Sequence, residues 1–134
     1  MTIKHISFDV WNTLITANPW YSEIRTEIIA KYANVTDREA GTMYRKVKKY
    51  LDQNAEKGIC SSTSTAWHVL GKTLNMELKA IAEMQYMCEQ AFIANPPDLN
   101  VDLIAQLMYL SFNYELSIKS NTNFISGRIL AETV

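Results

Sequence analysis

A chain of 134 residues that is 48% hydrophobic and 20% charged, with three prolines and four glycines, has the size and composition of one globular domain and excludes a disordered or fibrous polymer. Thirteen Lys plus Arg against fourteen Asp plus Glu leave a formal net charge of −1, so no overall field draws it to nucleic acid or to an anionic membrane. The start, MTIKHISFDVWNTLI, lacks the charged lead and long apolar run of a signal peptide. No stretch approaches the roughly 18 apolar residues of a membrane span. Cys60 and Cys88 form no CxxC pair, so each is expected to be a small buried or half-buried hydrophobe in a reducing cytoplasm.

Residues 3–8 are rich in β-branched and aromatic side chains, and the pattern predicts a strand that delivers Asp9 to its C-terminal end. Asn18-Pro19 then cap a helix over 19–33, with Trp20, Ile24, Ile28, Ile29 and Tyr32 as its apolar stripe. Thr36-Asp37-Arg38-Glu39 reads as a capping box. The helix behind it buries Ala40, Met43, Tyr44, Val47 and Leu51, presents Arg45, Lys46, Lys48 and Lys49 to solvent, and stops at Gly58.

The run Ser61 to Thr65 is a short linker that ends in an N-cap for a helix through Trp67, Val69, Leu70 and Leu74. His68, with no second ligand one turn on, reads as a surface or half-buried histidine. Asn75 is expected to cap the next helix, with Leu78, Ile81, Met84, Cys88 and Phe92 on one side, and Pro96-Pro97 ends it. Asn100 opens a further helix. Its Leu103, Ile104, Leu107, Met108 and Leu110 are apolar nearly all round, which predicts packing against a sheet. Glu115 to Lys119 alternate as a strand ending at Ser120-Asn121, and Ser126-Gly127-Arg128 begin a last helix.

Two of these segments carry a family likeness. Phe8-Asp9-Val10-Trp11-Asn12-Thr13-Leu14-Ile15, at a strand end, resembles the first motif of the haloacid dehalogenase-like hydrolases. Ser120-Asn121-Thr122-Asn123, after the next long strand, resembles the second. The helical stretch between them matches the cap that one branch of that superfamily inserts after its first motif. The resemblance implies an α/β fold with a parallel sheet reduced to few strands: residues 1–16 and 97–134 as the core and 17–96 as a helical cap.

It also implies a chemistry. Asp9 would be the nucleophile that attacks phosphorus or carbon of a small-molecule substrate, with a covalent intermediate broken by water. Ser120 would hold a substrate oxygen, helped by Asn121, and Thr13 would fix the loop. Mg²⁺ would sit against the Asp9 carboxylate and the backbone carbonyl of Trp11. Where the family's phosphatases have a second Asp as acid and base, this chain has Trp11, closer to the aromatic residue of the dehalogenase branch. The indole would lid the pocket, pack under the cap or touch substrate. The family's later Lys and acidic pair have no counterpart here, so the resemblance implies the first part of a longer hydrolase with little turnover of its own. The competing expectation is a non-catalytic helical module that pairs with a second copy or a protein partner through the incomplete sheet.

Overall fold

The computed structural model describes residues 2–9, 11, 15–119, 124, 125 and 129. It is mixed α/β and mostly helical. In chain order the elements are β1 (His5–Asp9), β2 (Ile15–Thr16), α1 (Pro19–Ala33), α2 (Asp37–Glu56), α3 (Thr63–Thr73), α4 (Leu78–Ala94), β3 (Asp98–Leu99), α5 (Val101–Leu110) and β4 (Glu115–Lys119). β1 and β4 pair in parallel with His5 level with Glu115 and Asp9 level with Lys119. Parallel neighbours need a long crossover between them, and here everything from β2 to α5 supplies it.

Two strands of two residues each were not foreseen. β2 and β3 pair antiparallel, with Ile15 opposite Leu99 and Thr16 opposite Asp98. They are too short for alternation to mark them, and their pairing arises from tertiary contact rather than from local pattern. The Asn18 side-chain amide also donates to the Pro96 carbonyl across 3.3 Å. The chain therefore leaves for the four helices α1–α4 and comes back at one narrow neck.

Local sequence sets the helix ends. Asn18 accepts from the Trp20 amide at 3.0 Å, and Pro19 opens α1 with no amide to satisfy. The Thr36–Glu39 capping box is formed in both directions. Ser62 caps α3 and Asn100 caps α5 through their side-chain oxygens. Gly58, at φ 84°, follows α2 in a backbone region that other residues adopt with strain. Asn75 is a correction. It does not cap α4, whose N-cap is Glu77 without a side-chain bond, but closes α3 in the left-handed region at φ 59°. Around it the Asn75 amide bonds Lys72 and the Met76 amide bonds Gly71, the pattern of a Schellman stop, which Asn tolerates almost as Gly does.

The helices enclose the main core, formed by Ile29, Ala30, Ala40, Tyr44, Val47, Leu51, Ala66, Trp67, Leu70, Met76, Ile81, Met84, Cys88 and Phe124. Gly71 lets α3 and α4 touch: a Cβ there would fall 2.3 Å from Cγ1 of Ile81. The stripe expected on α1 holds at Ile29, which is buried, and at Ile28 and Tyr32, which pack on the core, but fails at Trp20. Tyr21, Ile29 and Ala30 are buried while Trp20 is 66% exposed, because α1 packs against both α2 and α4 rather than on a single neighbour. Leu78, at the first residue of α4, is likewise exposed. Cys88 is buried as expected, but Cys60 is exposed in the turn after α2.

A second cluster sits at the neck, where Ile15, Tyr21, Phe92, Ile125 and Ile129 are buried and Phe8, Trp11, Leu103 and Leu107 pack on them. α5 is covered less than its composition predicts. Leu103 and Leu107 reach that cluster, yet no α5 residue is fully buried and Met108 is 67% exposed, since the sheet of described strands is only two strands wide. The helix expected from Ser126 lies outside the described residues apart from Ile129.

Burial gives the core a pH dependence. Desolvation holds the Cys88 thiol protonated and pushes it up to about 12 from an ordinary 9.0, against the opposing pull of Arg25. Tyr21 and Tyr44 are raised for the same first reason. An unfolded thiol ionises near its ordinary value while the folded one keeps its proton, so stability is fully present below about pH 9 and is lost as pH rises toward 12. Urea midpoints are expected to fall between pH 8 and 10.5, and to fall less steeply in Cys88→Ala; equal slopes in the two proteins would contradict this.

Candidate functional site

β1 alternates an exposed face of His5, Ser7 and Asp9 with half-buried Ile6 and Phe8, so the chain folds there as a strand with one wet side. Asp9 ends the strand. Its carboxylate is exposed and makes no hydrogen bond or ion pair among the described residues. The parallel register brings the end of β4 to the same level, with Lys119 as the backbone partner of Asp9. Ser120 is the next residue in the chain, and it lies outside the described residues with Thr13 and Asn121.

Trp11 is half-buried. Its ring meets Phe92 of α4 edge to face, 6.3 Å between centroids, and Phe92 meets Tyr21 of α1 the same way at 5.1 Å. Of the readings open for the indole, the described contacts show packing beneath the helical unit. That stack ties the strand tip to the four helices through aromatic edges, a geometry worth about 0.5–1.5 kcal/mol per pair beyond area.

Other polar groups had no role in the sequence reading. Arg25 lies between α1 and α2 with its guanidinium carbon 3.8 Å from the centre of the Tyr44 ring and 5.4 Å from that of Tyr21. Its place within the Ile24 and Ile28 stripe of α1 is the one signal in sequence that this cation is half-buried. On the exposed sheet face, His5 Nε2 and Ser117 Oγ are 2.7 Å apart, and His5 Nδ1 lies 3.7 Å from Glu115. The cross-strand register, invisible in the sequence, creates that contact.

No group of three His, Cys, Asp or Glu side chains that could hold a metal gathers among the described residues. Among the described residues, Asp9 brings a carboxylate to the strand end and Trp11, two positions on, a backbone carbonyl. Such a pair suits Mg²⁺ in the mode where one or two protein oxygens share the ion with water and substrate oxygens. The basic side chains of α2 are solvated as expected, and Lys48 pairs with Asp52 one turn on at 3.1 Å. No helix of the described residues is long and apolar enough to cross a membrane. A scan against protein-family models finds no match for this chain, and a search of curated proteins finds none either.

Proposed function

We propose that this chain is a haloacid dehalogenase-like hydrolase of low turnover, in which Asp9 is the nucleophile on a small phosphorylated or halogenated acid and the family's later Lys and acidic pair have no counterpart. The observation that carries the reading is the exposed Asp9 carboxylate at the end of β1, without a hydrogen-bond or ion-pair partner among the described residues, level with the residue that leads into Ser120 on the neighbouring parallel strand. Ligands of open α/β sheets sit beyond the carboxyl ends of the strands. That the four helices leave and return through the β2–β3 neck supports reading them as a cap inserted after the first motif.

In this reading an Asp9 oxygen attacks phosphorus or carbon, the leaving group departs with the bonding pair, and water then breaks the acyl phosphate or ester. Thr13 fixes the loop, while Ser120 and Asn121 hold a substrate oxygen. Mg²⁺, when bound at Asp9 and the Trp11 carbonyl, supplies charge neutralisation. An indole at Trp11 can neither protonate a leaving alcohol nor activate water. The favoured substrates are therefore those whose leaving group needs no proton, such as a halide or the carboxylate of an acyl phosphate, and turnover of simple phosphomonoesters is weak.

Trp11→Asp tests this directly. General acid–base help contributes about 10²–10⁴-fold, so phosphate release from an alkyl phosphomonoester is expected to rise by about 10²-fold at the low end of that range. Hydrolysis of acetyl phosphate, which needs no protonation, should change little. An unchanged monoester rate in a folded Trp11→Asp protein would count against the placement of residue 11 beside the reacting atoms.

A further inference from the structure

On the wet face of the sheet three groups stand in the order that nucleophilic catalysis needs. The parallel register sets His5 level with Glu115 and Ser7 level with Ser117, and level residues of neighbouring strands, about 4.8 Å apart, share a face. His5 Nε2 lies 2.7 Å from Ser117 Oγ, while Nδ1 lies 3.7 Å from a Glu115 carboxylate oxygen. A carboxylate on the Nδ1 side holds the proton of a neutral imidazole there, which leaves Nε2 to accept from the serine hydroxyl. The His5 side chain is 53% exposed, so the face is open to solutes. A structural cross-strand hydrogen bond needs two groups. The third completes the signature of an activated nucleophile: a hydroxyl, a base within hydrogen-bond reach and an acid behind the base.

We propose that Ser117, His5 and Glu115 form a hydrolytic site, separate from Asp9, that acts on small activated carboxylic esters. Ser117 Oγ attacks the ester carbonyl carbon while His5 Nε2 takes the hydroxyl proton. The tetrahedral intermediate then breaks its bond to the leaving oxygen, which departs with the electron pair and receives that proton from His5. Water cleaves the acyl ester left on Ser117. His5 takes a proton from the water as its oxygen adds to the carbonyl, and the Ser117 oxygen leaves and recovers the proton. Glu115 touches no substrate. It is a positioning residue that orients the ring and faces the imidazolium formed in each half-reaction. Ser7, level with Ser117 on the same exposed face, carries a hydroxyl with no hydrogen bond among the described residues, and it donates to the developing oxyanion. An exposed face gives little purchase on an acyl chain, so short acyl groups with a good leaving group are the substrates that fit. The site does not rest on the chemistry of Asp9.

Incubation of the full chain with p-nitrophenyl acetate and acid quench is expected to show p-nitrophenol release and an acetyl group that peptide fragmentation places on Ser117. Ser117→Ala should lose the adduct and the release. His5→Ala should slow acylation by at least about 10²-fold, the low end of what a general base contributes, and free imidazole should restore part of that rate. Glu115→Gln should lower kcat at unchanged KM, with partial recovery in Glu115→Asp, a split that a merely structural contact would not produce. Absence of acetyl on Ser117, release that survives Ser117→Ala, or acylation at the wild-type rate in His5→Ala would overturn the proposal. If a variant fails to fold by circular dichroism, the position of the wild-type adduct decides. Acetyl on Ser117 and phosphoryl on Asp9 are different adducts, so failure of one reading is distinguishable from failure of the other.

Discussion

Asp9→Asn is expected to bring the low hydrolysis of the best substrate in a panel of acyl phosphates and small halogenated acids down to the uncatalysed background, as loss of the nucleophile does in a covalent hydrolase. The amide is nearly isosteric but cannot form the acyl phosphate or ester. Because the Asp9 carboxylate is exposed and has no hydrogen bond or ion pair among the described residues, the substitution should leave the unfolding free energy within about 0.5 kcal/mol of wild type, as for a surface change away from structural features. Lost turnover with retained stability separates a chemical role from the turn-forming role that a strand-end Asp can also have. A rate that survives Asp9→Asn would remove the nucleophile from the proposal.

Trp67→Ala should produce the largest loss of stability. The side chain is fully buried in the main core, its indole N–H donates to the Phe124 carbonyl at 2.9 Å, and its ring meets the Phe124 ring edge to face at 5.0 Å. Phe124 also packs on Tyr44 at 4.7 Å. Truncating a buried Trp costs about 3–5 kcal/mol through lost transfer and the cavity left behind, and an orphaned buried carbonyl adds about 1–3 kcal/mol. Against the 5–15 kcal/mol typical of a domain, that is most of the total. Trp67→Phe keeps much of the volume and loses the donor, so its cost should be roughly the hydrogen-bond part, about 1–3 kcal/mol. Chemical denaturation followed by far-ultraviolet circular dichroism distinguishes the two. A Trp67→Ala loss below about 1 kcal/mol would show that Phe124 does not anchor the segment after β4 to the helices.

That anchor also explains what was readable in the sequence and what was not. The helices announce themselves, because capping residues such as Thr36 with Glu39 and Asn100 act within one turn, and stripes such as Val47 with Leu51 follow the helical period. The two long strands were legible for the same local reason. The neck was not, since Ile15 and Leu99 meet only after four helices intervene. Nor was the burial of Tyr21 in place of Trp20 on α1, which depends on two neighbours at once, or the left-handed role of Asn75, which is shared between capping and stopping chemistry.

At the candidate site, a strand delivering Asp9 and the bounds of β4 were legible, whereas β1 starts at His5 and takes in Asp9 rather than covering residues 3–8, and the level pairing of Asp9 with Lys119 was not legible. Register is a property of two strands far apart in sequence, and neither strand encodes it alone. Trp11 was legible as a departure from the family's second Asp, whereas its edge contact with Phe92 depends on how α4 returns to the neck.

In the proposed mechanism Asp9 forms a covalent bond to substrate. Incubation with acetyl phosphate and Mg²⁺, acid quench and peptide mass spectrometry test it most directly. A phosphoryl mass gain is expected, confined to the peptide containing Asp9 and absent from Asp9→Asn. Steady hydrolysis with no adduct on that peptide, or an equal adduct in Asp9→Asn, would contradict it.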